Sequence, residues 1–373
     1  MFFLPLSKLK EYIERNILGR GKSLPSAIPS ILKSAQSIQD LDDEHFLEFC
    51  YESLLGRKSD PDSRYHYEQK LRQGVSRLDI INLITSSNEF RLKRVNREFV
   101  PSGHFYSCVP SEDDIAYAKS VIDFSLKGIA GIQLNEAEQL ALLETFKTFY
   151  QTLPFQSGKS EKFRFHYDNP AYSYPDSIFL HCFIRYLKPK KIIEVGSGYS
   201  SCMMLDTNEY FFDNSIDCTF IEPYPQLLKS LLKSGDFERI TIVGARLQEV
   251  DSSIFSSLDA GDILFIDSTH VGKAGSDVNK LFFEVLPLIK KGVFIHIHDI
   301  FYPLEYPDRW LEAGRAWNEQ YILRAFLQYN NVFKIRLFVD FIVRFHRDWL
   351  GANMSDCLKN TGGSIWLEKL DCL

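Results

Sequence analysis

The clearest pattern in the chain begins at residue 191, where short apolar runs rich in β-branched residues alternate with stretches of helical periodicity. Such runs have the length of buried strands, and the helical stretches between them allow the strands to lie parallel. The pattern predicts an α/β domain with a doubly wound, mostly parallel sheet of seven strands. The predicted strands are 191–195, 218–222, 240–243, 263–267, 293–298, 333–339 and 363–367.

Before residue 189 the periodicity is helical. Gly56 ends one predicted helix, Asp60-Pro61 begins the next, Ser76 caps a third, and a last one opens near Ser87. A longer helix is expected from Asn135 to about Tyr150. The predicted organisation is an N-terminal segment and linker over 1–40, a small helical domain over 41–100, a helical lead-in over 101–188, and the sheet domain over 189–373.

Composition is that of a soluble globular protein, with 45% apolar and 25% charged residues. The formal net charge of -6 gives no basic field for nucleic acid. The seven cysteines lack metal-ligand spacing, which indicates reduced thiols and a cytoplasmic protein.

No apolar run reaches the roughly 20 residues of a membrane span. The first 20 residues are apolar and then basic and amphipathic, which leaves two interpretations open: weak attachment to a membrane surface, or a helix packed on the protein. The sequence defines no oligomeric state.

A glycine turn, Gly196-Ser197-Gly198, follows the first predicted strand and directly precedes a helix. Glycines allow a tight turn close to a ligand, and the helix N-terminus offers free N–H groups. Ser201 stands where a dinucleotide fingerprint has its third glycine, which disfavours NAD without excluding it. The alternative is a purely structural corner between strand and helix.

Two carboxylates indicate what the turn binds. Glu194 lies at the end of the first predicted strand, where it would repel a pyrophosphate but suits a ligand with an ammonium or sulfonium group. Glu222 ends the second predicted strand, where it can accept hydrogen bonds from both hydroxyls of a ribose. The pair favours a nucleoside ligand with a positive charge.

The string Glu194-Val195-Gly196-Ser197-Gly198, followed by Glu222, resembles the first two motifs of class I S-adenosylmethionine (SAM)-dependent methyltransferases, which have a Rossmann-like fold. The phrases 103–107, 220–225 and 298–303 resemble one bacterial branch of that class, and the resemblance covers about residues 103–370. It implies that SAM is the cofactor, that the turn holds its methionine part, and that Glu222 holds its ribose. The implied cofactor-binding residues are Glu194, Gly196, Ser197, Gly198, Tyr199, Ser200, Glu222, Pro223, Tyr224, Gln248, Asp267 and Ser268, with Tyr174 at the carboxylate end of the cofactor.

Phrases in the small helical domain, such as Tyr51–Arg57 and Ser87–Phe90, resemble a domain of unknown function that is appended to bacterial surface and glycan-processing proteins. The resemblance implies a docking or glycan-related module. A purely structural helical cap is the alternative.

Two polar clusters follow the fourth and fifth predicted strands, at the edge where ligands bind in doubly wound sheets. They are Asp267-Ser268-Thr269-His270 and His296-Ile297-His298-Asp299. Alternation places the two histidines of the second cluster on one face of the strand. We expect Asp267, His270, His298 and Asp299 to converge over the methyl group of the cofactor, and we expect His296 to line the core.

These clusters resemble the site of metal-assisted sugar O-methyltransferases. The resemblance implies that Asp267, His298 and Asp299 bind a divalent metal such as Mg²⁺, and that His270 deprotonates a substrate hydroxyl. The predicted catalytic residues are therefore His270, Asp267 and His298. Because His298 stands where the family has a carboxylate and Mg²⁺ prefers oxygen, a softer metal or no metal are the alternatives.

We therefore predict a SAM-dependent O-methyltransferase that acts on a hydroxyl of a glycan or another small molecule. N-methylation of an amino sugar or peptide is the second interpretation, and a catalytically silent cofactor-binding scaffold is the third. Aromatic residues around the sheet can stack on a sugar ring or form a lid over the cofactor. They are Phe163, Phe165, Tyr167, Tyr172 and Tyr174 before the sheet, and Phe301, Tyr302, Tyr306, Trp310 and Trp317 after the fifth strand.

Overall fold

The computed structural model describes residues 41–90 and 99–370. The predicted N-terminal segment and linker lie outside the described residues. The chain divides into two compact units between Pro101 and Ser102. No helix in the described ranges combines the length and the apolar character that crossing a bilayer requires.

The N-terminal unit contains short helices that begin where the capping residues predict. The side chains of Asp42, Asp60 and Ser76 each accept a hydrogen bond from a backbone N–H of the first helical turn. Gly56 ends the first helix with φ 62°, as predicted. Residues 88–90 are helical, where a last helix was expected near Ser87, and the described range ends there. The helices are α1 (Asp43–Cys50, continued by a π-helical turn Tyr51–Leu55), α2 (Pro61–Arg72) and α3 (Arg77–Ser86).

The second unit carries the sheet and its covering helices. The helix expected from residue 135 to 150 is present at Glu136–Tyr150. The helices are α4 (Glu112–Val121), α5 (Glu136–Tyr150), α6 (Tyr174–Leu187), α7 (Tyr199–Phe212), α8 (Gln226–Leu231), α9 (Asp277–Lys280, continued by a π-helical turn Leu281–Val285), α10 (Leu286–Leu288), α11 (Asp308–Glu312), α12 (Glu319–Leu327), α13 (Val339–Phe345) and α14 (Arg347–Asn353).

The seven predicted strands form one sheet in the order β3-β2-β1-β4-β5-β7-β6. Strands β1 to β5 pair in parallel, whereas β7 runs antiparallel to both β5 and β6, so the sheet is mixed. The strands are β1 (Lys191–Val195), β2 (Asp217–Ile221), β3 (Ile240–Val243), β4 (Ile263–Ile266), β5 (Phe294–His298), β6 (Phe333–Phe338) and β7 (Ser364–Lys369).

Two boundaries differ from the sequence prediction in a way that concerns function. The second and fourth strands end one residue earlier than expected, so Glu222 and Asp267 are the first residues beyond them. Both carboxylates therefore lie in loops at the ligand-binding edge of the sheet. The connection from β3 to β4 contains only short 3₁₀ turns, Leu247–Glu249 and Ser252–Ser257, where we expected a helical segment.

The core is continuous on both faces of the sheet, and His296 belongs to it. The side chain is fully buried, and its ring stacks on Phe265 at 4.0 Å between ring centroids. Burial and the neighbouring His298 lower the pKa of His296 well below its usual value, so the ring is neutral. The structure thus agrees with the expectation that His296 lines the core.

Helix α7, which follows the glycine turn, is fixed by an ion-pair cluster around Arg164. The guanidinium Nη1 lies 2.6 Å from Asp206 Oδ1 and 2.7 Å from Glu209 Oε2, and its Nε donates to Asp236 Oδ2 at 2.7 Å. The other oxygen of Asp206 accepts from the backbone N–H of Phe165 at 2.7 Å. The segment before α6 is thereby tied to the helix that begins at the site.

Candidate active site

The glycine turn joins the ends of three strands. The backbone N–H of Gly196 donates to Ile221 O at the end of β2 (3.0 Å), and Asp267 N donates to Val195 O at the end of β1 (2.8 Å). Gly196 has φ 84°, and a Cβ atom on it would lie 2.1 Å from the carbonyl oxygen of Asp267. Only glycine fits this position.

Glu194 is more buried than the sequence suggested. The side chain is fully buried, and its carboxylate accepts hydrogen bonds from Ser200 Oγ (2.5 Å) and from Ser201 Oγ. Burial raises the pKa of Glu194 to about 8, so the protonated carboxyl is favoured at neutral pH. Its visible role is to hold the first turn of α7 against β1, and its predicted contact with the cofactor stays a prediction.

Beside the turn lies a cleft of about 330 Å³, within the size range of small-molecule sites, roughly 300–1,000 Å³. It brings together many of the predicted cofactor-binding residues and adds others that were not among them. The predicted ones are Gly196, Glu222, Pro223, Tyr224, Gln248, Asp267 and Ser268, and the added ones are Val195, Ile221, Arg246, Leu247, Thr269 and Asp277. Ser197, Gly198, Tyr199 and Ser200 form the turn and the start of α7 and are not among the lining residues.

Glu222 and Gln248, the predicted contacts of the nucleoside, both line the cleft. Glu222 Oε1 accepts from the backbone N–H of Tyr224 at 2.8 Å, which turns the carboxylate back toward the cleft. Burial raises the pKa of Glu222. Gln248 is held by a hydrogen bond from its Nε2 to Gly275 O at 2.9 Å. Both side chains are thus fixed by local contacts before any ligand binds.

Tyr174 does not line this cleft. It begins α6, its hydroxyl lies 3.0 Å from Ser157 Oγ, and its ring stacks on Tyr167 at 4.5 Å. Its predicted contact with the carboxylate end of the cofactor stays a prediction.

The predicted acidic and histidine residues do come together at the ends of β4 and β5. His270 Nε2 lies 3.4 Å from Asp267 Oδ1 and 3.5 Å from Asp299 Oδ2. One ligand atom from each of these three residues lies within 4.8 Å of the others. His270 and Asp299 both adopt left-handed backbone conformations, with φ 60° and 56°. Such conformations are rare outside glycine and cluster at functional sites.

This grouping differs from the predicted metal set in one member, and the metal set stays a prediction. His270 joins the two aspartates, whereas His298 lies at the margin, with its Nε2 3.7 Å from Asp299 Oδ1. Burial disfavours the charged form of His298, but the carboxylates of Asp299, Asp267 and Asp176 outweigh burial and raise its pKa. The aspartates therefore favour the charged form of His298.

The residue that sequence reasoning missed is Glu319, the first residue of α12. Its Oε2 lies 2.8 Å from His270 Nδ1, and the carboxylate is fully buried. Burial alone would lower the pKa of His270, but hydrogen bonds with Asp267 and Glu319 raise it well above its usual value. No sequence motif marks Glu319, which follows His270 by 49 positions.

Two segments of the chain match known sequence families, and one relative matches a longer part of it. Residues 193–300 match the family described as methyltransferase domain, and residues 30–93 match a domain of unknown function, DUF4214. An uncharacterized protein of Archaeoglobus fulgidus is 29% identical over 180 residues, which are 46% of this chain and 80% of that protein.

Several solved structures align with this chain at low sequence identity and low TM-score. The SAH-bound methyltransferase PaMTH1 of Podospora anserina aligns over 66% of this chain and 100% of its own, with 14% identity and a TM-score of 0.37. A putative caffeoyl-CoA O-methyltransferase from Staphylococcus aureus aligns over 64% and 100%, with 15% identity and a TM-score of 0.37. The O-methyltransferase TomG from Streptomyces achromogenes, solved in complex with SAM, aligns over 69% and 95%, with 15% identity and a TM-score of 0.34.

The family match covers residues 193–300, which include the end of strand β1, the glycine turn and strands β2 to β5 of the seven-stranded sheet. This chain therefore contains a methyltransferase domain.

Replacement of Glu222 by glutamine is expected to raise the Kd for S-adenosylhomocysteine (SAH), the demethylated product, about 10-fold. A hydrogen bond to a charged acceptor is stronger than one to a neutral amide by about 1.4 kcal/mol, which corresponds to a 10-fold change in Kd. Isothermal calorimetry measures the change. Glu238→Gln, an exposed carboxylate outside the cleft, is the matched control. An unchanged Kd in Glu222→Gln would contradict the predicted contact between Glu222 and the ribose.

Proposed function

We propose that this methyltransferase transfers the methyl group of SAM to a hydroxyl oxygen of a small acceptor, and that His270 Nε2 removes the hydroxyl proton. The observation that carries the proposal is the orientation of His270. Its Nδ1 faces Glu319 at 2.8 Å, and its Nε2 faces the aspartates at the ligand edge of the sheet. An imidazole held in this way by a carboxylate is the usual arrangement of a general base.

SAM, when bound, supplies an electrophilic methyl group on a sulfonium. The acceptor oxygen forms a bond to the methyl carbon while the carbon–sulfur bond breaks, and the bonding pair stays on sulfur. His270 acts as a base in its neutral form, and because its pKa is raised, that form becomes more abundant as pH rises. The hydroxyl proton passes to Nε2, and the imidazolium that forms is stabilised by Asp267, Asp299 and Glu319. The protein contributes alignment of acceptor and methyl group, which can account for roughly 7–11 kcal/mol of the barrier.

The same cluster also fits a divalent cation, which supports a second, metal-assisted form of the proposal. One oxygen from each of two carboxylates and one imidazole nitrogen lie within 4.8 Å of one another, and the carboxylates are partly exposed. Mg²⁺ and Mn²⁺ accept carboxylate ligands, and the imidazole favours the softer ion. The two forms exclude each other, because a lone pair on Nε2 that binds a metal cannot take a proton.

A second cavity supports a hydroxylated acceptor such as a glycan. It measures about 380 Å³ and follows the end of β5, and it combines aromatic rings with charged side chains, as sugar sites require. Its lining includes Phe301, Tyr302, Tyr306, Glu305, Asp308 and Arg309. Trp317 lies between this cavity and His270, since its ring centroid is 6.2 Å from that of Tyr306 and 4.4 Å from that of His270. N-methylation of an amino sugar or peptide is less well supported, because it needs no oriented base.

The test uses the purified full chain, SAM labelled on its methyl group, and a panel of acceptors. The panel contains neutral methyl glycosides, a methyl glycoside with a free amino group, and a simple phenol. Each is assayed with EDTA and with added Mg²⁺ or Mn²⁺. Transfer to oxygen that survives EDTA supports the general-base form, and transfer that EDTA abolishes and Mn²⁺ restores supports the metal form. Label found only on nitrogen, or on none of these acceptors, contradicts the O-methyltransferase proposal.

A further inference from the structure

The loop that carries His270 is clamped by the first residues of α12. The carbonyl oxygen of His270 accepts from the backbone N–H groups of Asn318 (3.0 Å) and Glu319 (3.1 Å). Asn318 also exchanges two hydrogen bonds with the backbone of Gly272, with its Oδ1 accepting at 2.5 Å and its Nδ2 donating at 3.1 Å. These contacts hold His270 in its left-handed conformation, which an unsupported loop would rarely adopt.

The side chain of Glu319 has no visible task outside this loop. One carboxylate oxygen accepts from Ser268 Oγ at 3.1 Å, and the other lies 2.8 Å from His270 Nδ1. Ser268 Oγ in turn accepts from the backbone N–H of His270 at 3.1 Å. Complete burial of a carboxylate costs free energy that a surface position at the start of a helix would avoid. Both partners belong to the site, so the arrangement serves the site rather than the helix.

We propose that Glu319 is the positioning residue that determines which nitrogen of His270 reacts. The two ring nitrogens differ in their distance to the nearest carboxylate. Nδ1 lies 2.8 Å from Glu319, within hydrogen-bond distance, whereas Nε2 lies 3.4 Å from Asp267 and 3.5 Å from Asp299, beyond it. The neutral ring therefore keeps its proton on Nδ1, where it donates to Glu319, and carries its lone pair on Nε2. The effect of Glu319 on the rate of methyl transfer depends on the proposed function. It applies equally whether Nε2 takes a proton or binds a metal.

The first test replaces Glu319 by glutamine, which keeps the shape of the side chain but can donate its amide hydrogen to Nδ1 and so favour the opposite tautomer. We expect kcat to fall roughly 10- to 100-fold, as for the loss of comparable supporting carboxylates, while the Kd for SAH stays within about 2-fold. The acceptor is whichever member of the acceptor panel gives the highest rate with the wild-type enzyme. Glu138→Gln, which alters an ion pair with Lys334 outside the site, is the matched control and keeps its kcat.

The second test asks whether Glu319 acts through His270. In a His270→Ala background, Glu319→Gln is expected to cause no further loss of rate, because the group that it positions is gone. A general loss of structure would lower the rate in both backgrounds. A wild-type kcat in Glu319→Gln, or an equal loss in both backgrounds, overturns the proposal.

Thermal unfolding of the same four proteins gives a readout that needs no acceptor. If Glu319 and His270 are coupled as proposed, the Tm lowering from Glu319→Gln is smaller in the His270→Ala background than in the wild type. Equal lowering in the two backgrounds contradicts the coupling. If the wild-type enzyme methylates no hydroxyl, the proposed function fails, but the Tm comparison still decides whether the two side chains are coupled.

Discussion

Replacement of Gly196 by alanine is expected to abolish SAH binding and to destabilise the methyltransferase domain by more than about 4 kcal/mol. The added Cβ would lie 2.1 Å from the carbonyl oxygen of Asp267, and both contacting groups are backbone, so neither can rotate away. The residue also has φ 84°, which an L side chain rarely adopts. Relief of the clash would separate β1 from β4, the two strands that carry the site. Thermal unfolding and calorimetry with SAH measure the two effects.

Gly244→Ala is the control for this prediction. Gly244 follows β3, no atom lies within 4 Å of the point where an added Cβ would sit, and its φ is not positive. Its Tm and its Kd for SAH should remain close to those of the wild type. If Gly196→Ala behaved like Gly244→Ala, the close approach of the glycine turn to Asp267 would be wrong.

Replacement of His270 by alanine is expected to lower kcat roughly 10²- to 10⁴-fold, the usual contribution of a positioned base. The Kd for SAH should change little, because His270 is not among the residues that line the cofactor cleft. Single-turnover assays with labelled SAM give the rate, and calorimetry gives the Kd. The combination separates a role in chemistry from a role in cofactor binding.

His346→Gln is the matched control for His270→Ala. His346 is also a histidine paired with a glutamate, with its Nε2 2.8 Å from Glu136 Oε1, but it lies outside the site. It should retain the wild-type rate. Full turnover by His270→Ala would remove this histidine from the mechanism and leave Asp267 and Asp299 to be tested as the groups that act on the acceptor.

Much of the fold could be predicted from the sequence because its signals are local. Apolar runs of strand length give seven strands, and capping residues such as Asp60 and Ser76 give helix starts. The parallel pairing follows from the intervening helices, but the antiparallel β7 does not. Its direction depends on how the chain returns after α14 and inserts between β5 and β6, which no local pattern records.

Site residues that directly follow strand ends could be predicted from the sequence. Site residues that come from a distant segment of the chain could not. Asp267, His270 and Asp299 follow β4 and β5, so their convergence could be expected. Glu319 joins them only through tertiary packing of α12. Alternation along β5 placed His298 on a face of the sheet but could not tell that His270, with φ 60°, would fold back and lie closer to the aspartates.

The protonation state of Glu194 could not be predicted from the sequence either. A carboxylate at a strand end suggests attraction to a sulfonium, and that argument assumes an ionised group. The structure buries Glu194 and surrounds it with the hydroxyls of Ser200 and Ser201, and burial raises its pKa to about 8. Burial depends on how α7 packs on β1, so the protonation state could not be inferred from the residue alone.

The left-handed backbone at His270 and Asp299 has a consequence for the energetics of turnover. Each such residue carries a conformational free energy of roughly 1–2 kcal/mol, and at His270 the hydrogen bonds that clamp the loop offset it during folding. The side chain of His270 is therefore preorganised, and little reorganisation energy remains to be supplied when the acceptor arrives. Rate and rigidity in this loop should consequently decline together, whichever residue is altered to loosen it.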